Sequence, residues 1–191
     1  MQADSPNRPA PGPAAPTDLR RAAFRDLHGS RLHGFALLVT LGNQALAARL
    51  ASEAIAAGSA DSDELSHPER AAAWLRRHVV RAVRGQLRDS PDTASRRRAV
   101  LEEIDVDAVA FAALAALDVR ERAAVAAHTV ERLDLRDVAT IVGIDGARLE
   151  RVIRRAHAKA IRSAGRALDL RPHEDGPITT RIRESAERTM S

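Results

Sequence analysis

Residues 134–162, DLRDVATIVGIDGARLERVIRRAHAKAIR, place apolar side chains at helical spacing, break at Gly143, and resume as a helix rich in arginine. Few folds accept that pattern. A period of three to four residues on both sides of one glycine demands two amphipathic helices joined by a tight turn. Val138, Ala139, Val142, Gly143, Ile144, Leu149 and Val152 hold the spacings of a helix-turn-helix. Ala139 is small enough for two helices to approach closely, and Gly143 supplies a left-handed turn conformation that ends the first helix. Asp145 stands where an N-cap is wanted, its carboxylate suited to the positive end of the next helix.

That second helix, about Gly146 to Ala164, carries Arg148, Arg151, Arg154, Arg155, Lys159 and Arg162 against one acid, Glu150. In a helix-turn-helix the N-terminal part of the second helix enters the major groove. Arg148 and Arg151 are placed to reach base edges, where guanidinium bonds guanine in bidentate fashion. Arg154 and Arg155 suit phosphates, which position a protein without specifying sequence, and Lys159 is a further candidate DNA contact. The plainer alternative is a solvated basic face on an ordinary helical hairpin.

The rest of the chain reads as helix too. Phe24, Phe35, Phe111 and Trp74 are the only aromatics, and tyrosine is absent. Strands draw on aromatic and β-branched residues, so the expected class is all-α. Residues 1–17 are rich in Pro and Ala without periodicity and are expected to be a disordered tail, as are residues 169–191. A first helical block spans 18–88. Its apolar repeat, Leu19, Phe24, Leu27, Leu32, Phe35, Leu38 and Val39, breaks at Gly42-Asn43 and resumes from Ala45 to Ala57. Residues 58–69 are a polar loop, 89–104 a linker whose downstream end returns to helical spacing, and 105–168 the second block.

The helix 74-WLRRHVVRAVRGQLR-88 carries Arg76, Arg77, Arg81, Arg84 and Arg88 with no acid, a row suited to gripping phosphates or to facing water. Trp74 shares the apolar spacing of its neighbours and is expected in the core. The net charge is only +4, so the placement of arginine matters more than its excess. With no cysteine, thiol chemistry and zinc knuckles are excluded. The histidines lack metal-ligand spacing, and no phosphate-cradling glycine loop or nucleophile elbow occurs. Neither a metal, a cofactor nor an enzymatic activity is expected. No apolar run approaches the roughly 20 residues that span a bilayer, and no signal-peptide pattern is present, so a cytoplasmic protein without membrane insertion is expected.

The second block resembles the second DNA-binding domain, region 4, of bacterial sigma factors of the extracytoplasmic-function group. The resemblance rests on Leu117, Arg120, Arg122, Leu133, Asp137, Val138, Ala139, Val142, Gly143, Ile144, Leu149, Arg155 and Ala156. Asp118 stands at the usual Pro and leaves the helix start less sharply defined. The first block is similar, more faintly, to region 2 of the same group, with 47-AARLASEAI-55 at its clamp-docking helix and Trp74, Leu75 and Arg88 at its promoter-opening helix. The resemblance implies two small helical domains joined by a linker, binding core RNA polymerase and promoter double-stranded DNA. Region 2 would open the −10 element and region 4 read the −35 element, with room for an anti-sigma partner. Arg49, Ser52 and Glu53 stand at the polymerase-docking positions, where Arg49 reverses a family Asp and Ser52 replaces a Gln. Arg81 and Gly85 replace an Asn and an Asp, and Arg148, Glu150 and Val152 replace a Thr, Lys and Arg. These departures raise the alternative of a helix-turn-helix regulator, or a degenerate sigma-like protein, that no longer recruits polymerase.

Overall fold

The computed structural model describes residues 16–60, 68–84 and 94–170, together with residues 180 and 184. Every regular element among them is helical, in agreement with the all-α expectation. The first half contains α1 (Pro16–Val39), α2 (Gln44–Ala60) and α3 (Pro68–Val83). The second contains α4 (Ala94–Glu102), α5 (Ala108–Ala115), α6 (Val119–Val125), α7 (Leu135–Val142) and α8 (Gly146–Leu170). A π-helical turn over Ala126–Val130 extends α6.

Several boundaries shift from those read in the sequence. α1 already begins at Pro16, inside the expected tail, and α2 continues through Gly58, Ser59 and Ala60 into the expected loop. Both extensions follow chemistry that helices tolerate: proline is at home in a first turn, and Gly58 packs against Phe24 and Leu75 so closely that a Cβ would stand 3.0 Å from Leu75 Cδ2. Residues 94–102, within the expected linker, form α4, whose Leu101 is completely buried. α8 runs beyond Ala164 to Leu170. The tails at 1–15 and 171–179, the loop at 61–67, the linker segment 85–93 and residues Gly85 and Arg88 lie outside the described residues.

The α1–α2 corner shows how local chemistry sets topology. Leu41 (φ 55) and Gly42 (φ 76) adopt left-handed conformations, and Gly42 N donates to Leu37 O at 2.8 Å. Asn43 Oδ1 then accepts from Leu46 N at 3.1 Å and caps α2. A Cβ on Gly42 would stand 2.2 Å from Arg97 O, so the corner lies hard against the α4 backbone. The two helices return as an antiparallel hairpin, and α3 packs across both.

Phe35 and Leu32 of α1, Leu50 of α2, Leu75 and Val79 of α3, Leu114 of α5 and Ile141 of α7 are all buried in one continuous apolar cluster. Each such side chain contributes about 1.5–3 kcal/mol through removal from water. The cluster crosses freely from the first half to the second: α3 packs on α7, and α1 packs on α6. Two buried arginines reinforce the join. Arg122 of α6 donates to Val39 O at 2.6 Å, Leu114 O at 3.1 Å and Leu117 O at 2.9 Å. Val39 and Leu114 end or nearly end their helices, where carbonyl groups favour a cation. Burial lowers the Arg122 pKa to about 10, still well above neutral, so the guanidinium stays charged. Arg76 of α3 forms a two-pronged ion pair with Glu131, both N–O distances being 2.6 Å. Its guanidinium also lies 5.6 Å from the centre of the Phe35 ring. No helix among the described residues is long and apolar enough to cross a membrane.

Candidate nucleic-acid interface

Asp134 opens α7, its side chain accepting from Asp137 N at 2.8 Å. The helix buries Val138, Ile141 and Val142 and leaves Arg136 and Thr140 exposed. It ends at Gly143, whose φ of 72° and ψ of 45° are left-handed, with Gly143 N donating to Ala139 O at 2.8 Å. Ile144 N donates to the same carbonyl at 3.2 Å. Asp145 Oδ1 then accepts from Arg148 N at 2.8 Å, and α8 begins at Gly146. Ala139 and Ile144 are partly buried against the core, and Leu149 is completely buried. Ile141 and Ile153, which the sequence reading passed over, are core residues at 1% and 2% exposure, whereas Val152 is only half-buried. Their spacing of three from Val138 and four from Leu149 is the helical signal that identifies them.

The arginines of α8 divide into two groups. Arg148, Arg151 and Arg154 are exposed on the solvent face, as is Glu150 beside them. Arg155 and Lys159 instead reach Glu121 of α6: Arg155 Nε at 3.0 Å from Oε1, and Lys159 Nζ at 2.9 and 2.8 Å from the two oxygens. Glu121 is wholly buried, so its negative charge requires these cations. Arg155 keeps most of its side chain in water, whereas Lys159 is more committed to the ion pair. The Glu121 carboxylate also accepts from Asp118 N at 3.1 Å while Asp118 Oδ1 accepts from Glu121 N at 2.9 Å. This reciprocal capping box defines the start of α6 sharply, contrary to the looser start expected of Asp118. The D-x-x-E spacing at 118–121 was the legible signal for it.

On α3, Arg77 and Arg81 are exposed, as is Arg84 just beyond its end, whereas Arg76 is buried at 5% exposure in the ion pair with Glu131. Arg76 therefore leaves the row of cations that the sequence suggested. Trp74 is half-buried against the core, its ring stacked on His78 with centroids 5.4 Å apart. Arg77 lines a cleft with Arg136, Thr140 and the turn from Gly143 to Gly146, bringing α3 beside the helix-turn-helix. The Arg84 pKa is pushed down by burial, then by the neighbouring Arg120 and Arg81, with Asp118 opposing.

At the expected polymerase-docking positions, Arg49 Nη1 binds Glu53 Oε1 at 2.9 Å across one helical turn, both side chains half-exposed. Ser52 is exposed and lines a groove between α1 and α2 with Arg25 and His33. Among the described residues no group of three or more His, Cys, Asp or Glu is placed to hold a metal ion.

No family model matches this chain, and neither a curated protein nor a solved structure does.

Proposed function

We propose that this chain is a sigma factor-like transcription initiation protein that acts in the cytoplasm by binding promoter duplex DNA and core RNA polymerase. The observation that carries the DNA half is the turn between α7 and α8. Gly143 in the left-handed conformation and the Asp145 cap leave Arg148 and Arg151 exposed on the first turns of α8. That placement suits entry into a major groove, with Arg148 and Arg151 at base edges and Arg154 at a phosphate. The polymerase half rests on the order of the two blocks and on their resemblance to regions 2 and 4. Pull-down with the tagged full-length chain tests it: core polymerase subunits are expected in the eluate at low salt. Their absence removes the polymerase half and leaves DNA binding to be judged separately. For that, Arg151→Ala is expected to weaken binding by about 1–3 kcal/mol and relax preference at one base position. Uniform weakening on all sequences would demote Arg151 to a phosphate contact.

The second reading is a helix-turn-helix regulator that does not recruit polymerase. It is favoured by the Arg49–Glu53 pair, which sets a cation against the acidic position of the docking helix. Promoter-dependent transcription by the wild-type chain with core polymerase would rule it out.

A further inference from the structure

The fold gathers arginines from both halves around α3. Arg77 and Arg81 stand on its exposed face and Arg84 just past its end. On one side Arg77 shares a cleft with Arg136 of α7 and with the turn that leads into α8. At the far end Arg84 comes near Arg120 of α6, an exposed residue of the second half. None of these five arginines forms a salt bridge with a carboxylate among the described residues. Asp118 offsets part of the charge at Arg84, and Asp145 lines the cleft with Arg77 and Arg136. Guanidinium groups gathered in excess of such counter-charge repel one another and lower the stability of the compact state, unless a polyanion supplies the missing charge.

The position of the ridge identifies the polyanion. In a helix-turn-helix the helix before the turn crosses the DNA backbone while the next enters the groove. α7 is that first helix here, and α3 packs alongside it. A backbone that crosses α7 therefore continues along the arginines of α3. We infer that Arg77, Arg81, Arg84, Arg120 and Arg136 grip the phosphates of the same duplex that α8 reads, so that both halves form one DNA-binding surface. This inference rests on the helix-turn-helix reading proposed above. It differs from the arrangement implied by the resemblance, in which each half contacts its own promoter element. One compact body engages one stretch of duplex, and the ridge adds affinity without sequence information.

The test uses the full-length chain and a fluorescein-labelled pool of random-sequence duplexes, with anisotropy measured over a range of salt concentrations. The triple variant Arg77→Ala, Arg81→Ala, Arg120→Ala is compared with wild type and with the double variant Arg148→Ala, Arg151→Ala. Circular dichroism melts establish that each variant is folded. For the triple variant, the slope of log Kd against log salt is expected to flatten by about 0.9 per lost phosphate contact, about 2.7 in all. Rounds of selection from the pool are expected to enrich the same motif with the triple variant as with wild type, but not with the double variant. Saturation at one duplex per chain is expected. An unchanged slope in the triple variant, or saturation at two duplexes per chain, overturns the inference while leaving the helix-turn-helix reading intact. Failure of the wild-type chain to bind the pool or enrich any motif overturns the helix-turn-helix reading and the inference together. Vesicles of phosphatidylglycerol provide the remaining arm: loss of vesicle binding with unchanged DNA binding in the triple variant assigns the ridge to a membrane surface instead.

Discussion

Lys159 of α8 holds both carboxylate oxygens of Glu121, at 2.9 and 2.8 Å, and thereby ties the far half of the long basic helix to the start of α6. A lysine that reads as a DNA contact in the sequence is thus engaged in an ion pair on which a buried carboxylate depends. The distinction matters for mutagenesis, because loss of DNA binding after Lys159→Ala has a structural cause available.

Glu121→Ala removes a capping-box partner and leaves Arg155 and Lys159 facing an empty site, while Lys159→Ala leaves most of a buried negative charge to Arg155 alone. Breaking a buried ion pair by removing one partner costs about 3–5 kcal/mol. Lys159→Ala, which leaves the wholly buried Glu121 carboxylate to the largely exposed Arg155, is expected to approach that range, and Glu121→Ala to cost less, because the Arg155 and Lys159 side chains it leaves behind reach solvent. Arg148→Ala, on the exposed face of the same helix, is expected within about 0.5 kcal/mol of wild type. Urea denaturation of the three variants checks the order.

Arg76 and Arg77 are sequence neighbours with opposite duties. Arg76 is buried against Glu131 and over Phe35, joining α3 to the end of the π-helical turn. Arg76→Ala strands the Glu131 carboxylate and is expected to cost about 3–5 kcal/mol. Arg77→Ala exposes no new partner and is expected to change stability by less than about 0.5 kcal/mol. Equal melting temperatures for the two variants would contradict the burial of the Arg76–Glu131 pair.

Two glycines separate conformational strain from steric clash. At Gly143, a Cβ meets nothing within 4 Å, so only the left-handed backbone disfavours substitution. Gly143→Ala is expected to cost about 1–2 kcal/mol. At Gly42 the backbone is left-handed as well, and a Cβ would stand 2.2 Å from Arg97 O. Neither backbone can yield without moving α4, so Gly42→Ala is expected to be the more destabilising by a clear margin. Chemical denaturation of the pair measures both, and a Gly42→Ala variant as stable as Gly143→Ala would contradict the contact between the α1–α2 corner and α4.

Why the sequence disclosed the turn but not the joins between halves follows from the range of the interactions. Gly143, Asp145 and the apolar spacing from Val138 to Leu149 act over a few residues, and period and turn chemistry report such features directly. The break at Gly42-Asn43 was legible for the same reason. Arg76 and Glu131 are separated by 55 residues, and Arg122 reaches Val39 across 83. Helical spacing does set Arg76 on the apolar face with Val79, Val80 and Val83 and Arg77 off it, but nothing local names Glu131 as the partner that lets a guanidinium be buried there. The same holds for α4: Val100 and Leu101 carried the helical period, but polar residues around them read as a linker until the α1–α2 corner closed over them.

His157 gives the fold a predictable response to acid. The imidazole is completely buried, with Nε2 at 3.2 Å from Thr129 Oγ1 of the π-helical turn. Burial, aided by the nearby His128, lowers its pKa from 6.5 to about 4, because a charge there loses hydration. His28, buried beside Phe24, is lowered in the same direction by burial and by Arg76. In the unfolded chain both histidines take up a proton near pH 6.5, whereas the folded state resists until lower pH. The unfolded state therefore binds more protons in that window, and stability rises with pH through it. The contribution is fully present above pH 6.5 and is lost as pH falls from about 6.5 toward 4, a change on the order of 3 kcal/mol for His157. His157→Leu removes that titration and is expected to flatten the loss between pH 7 and pH 4.5, whatever its effect at neutral pH. Urea midpoints for wild type and variant at the two pH values decide the matter: parallel declines would show that His157 is not the group whose protonation opposes folding.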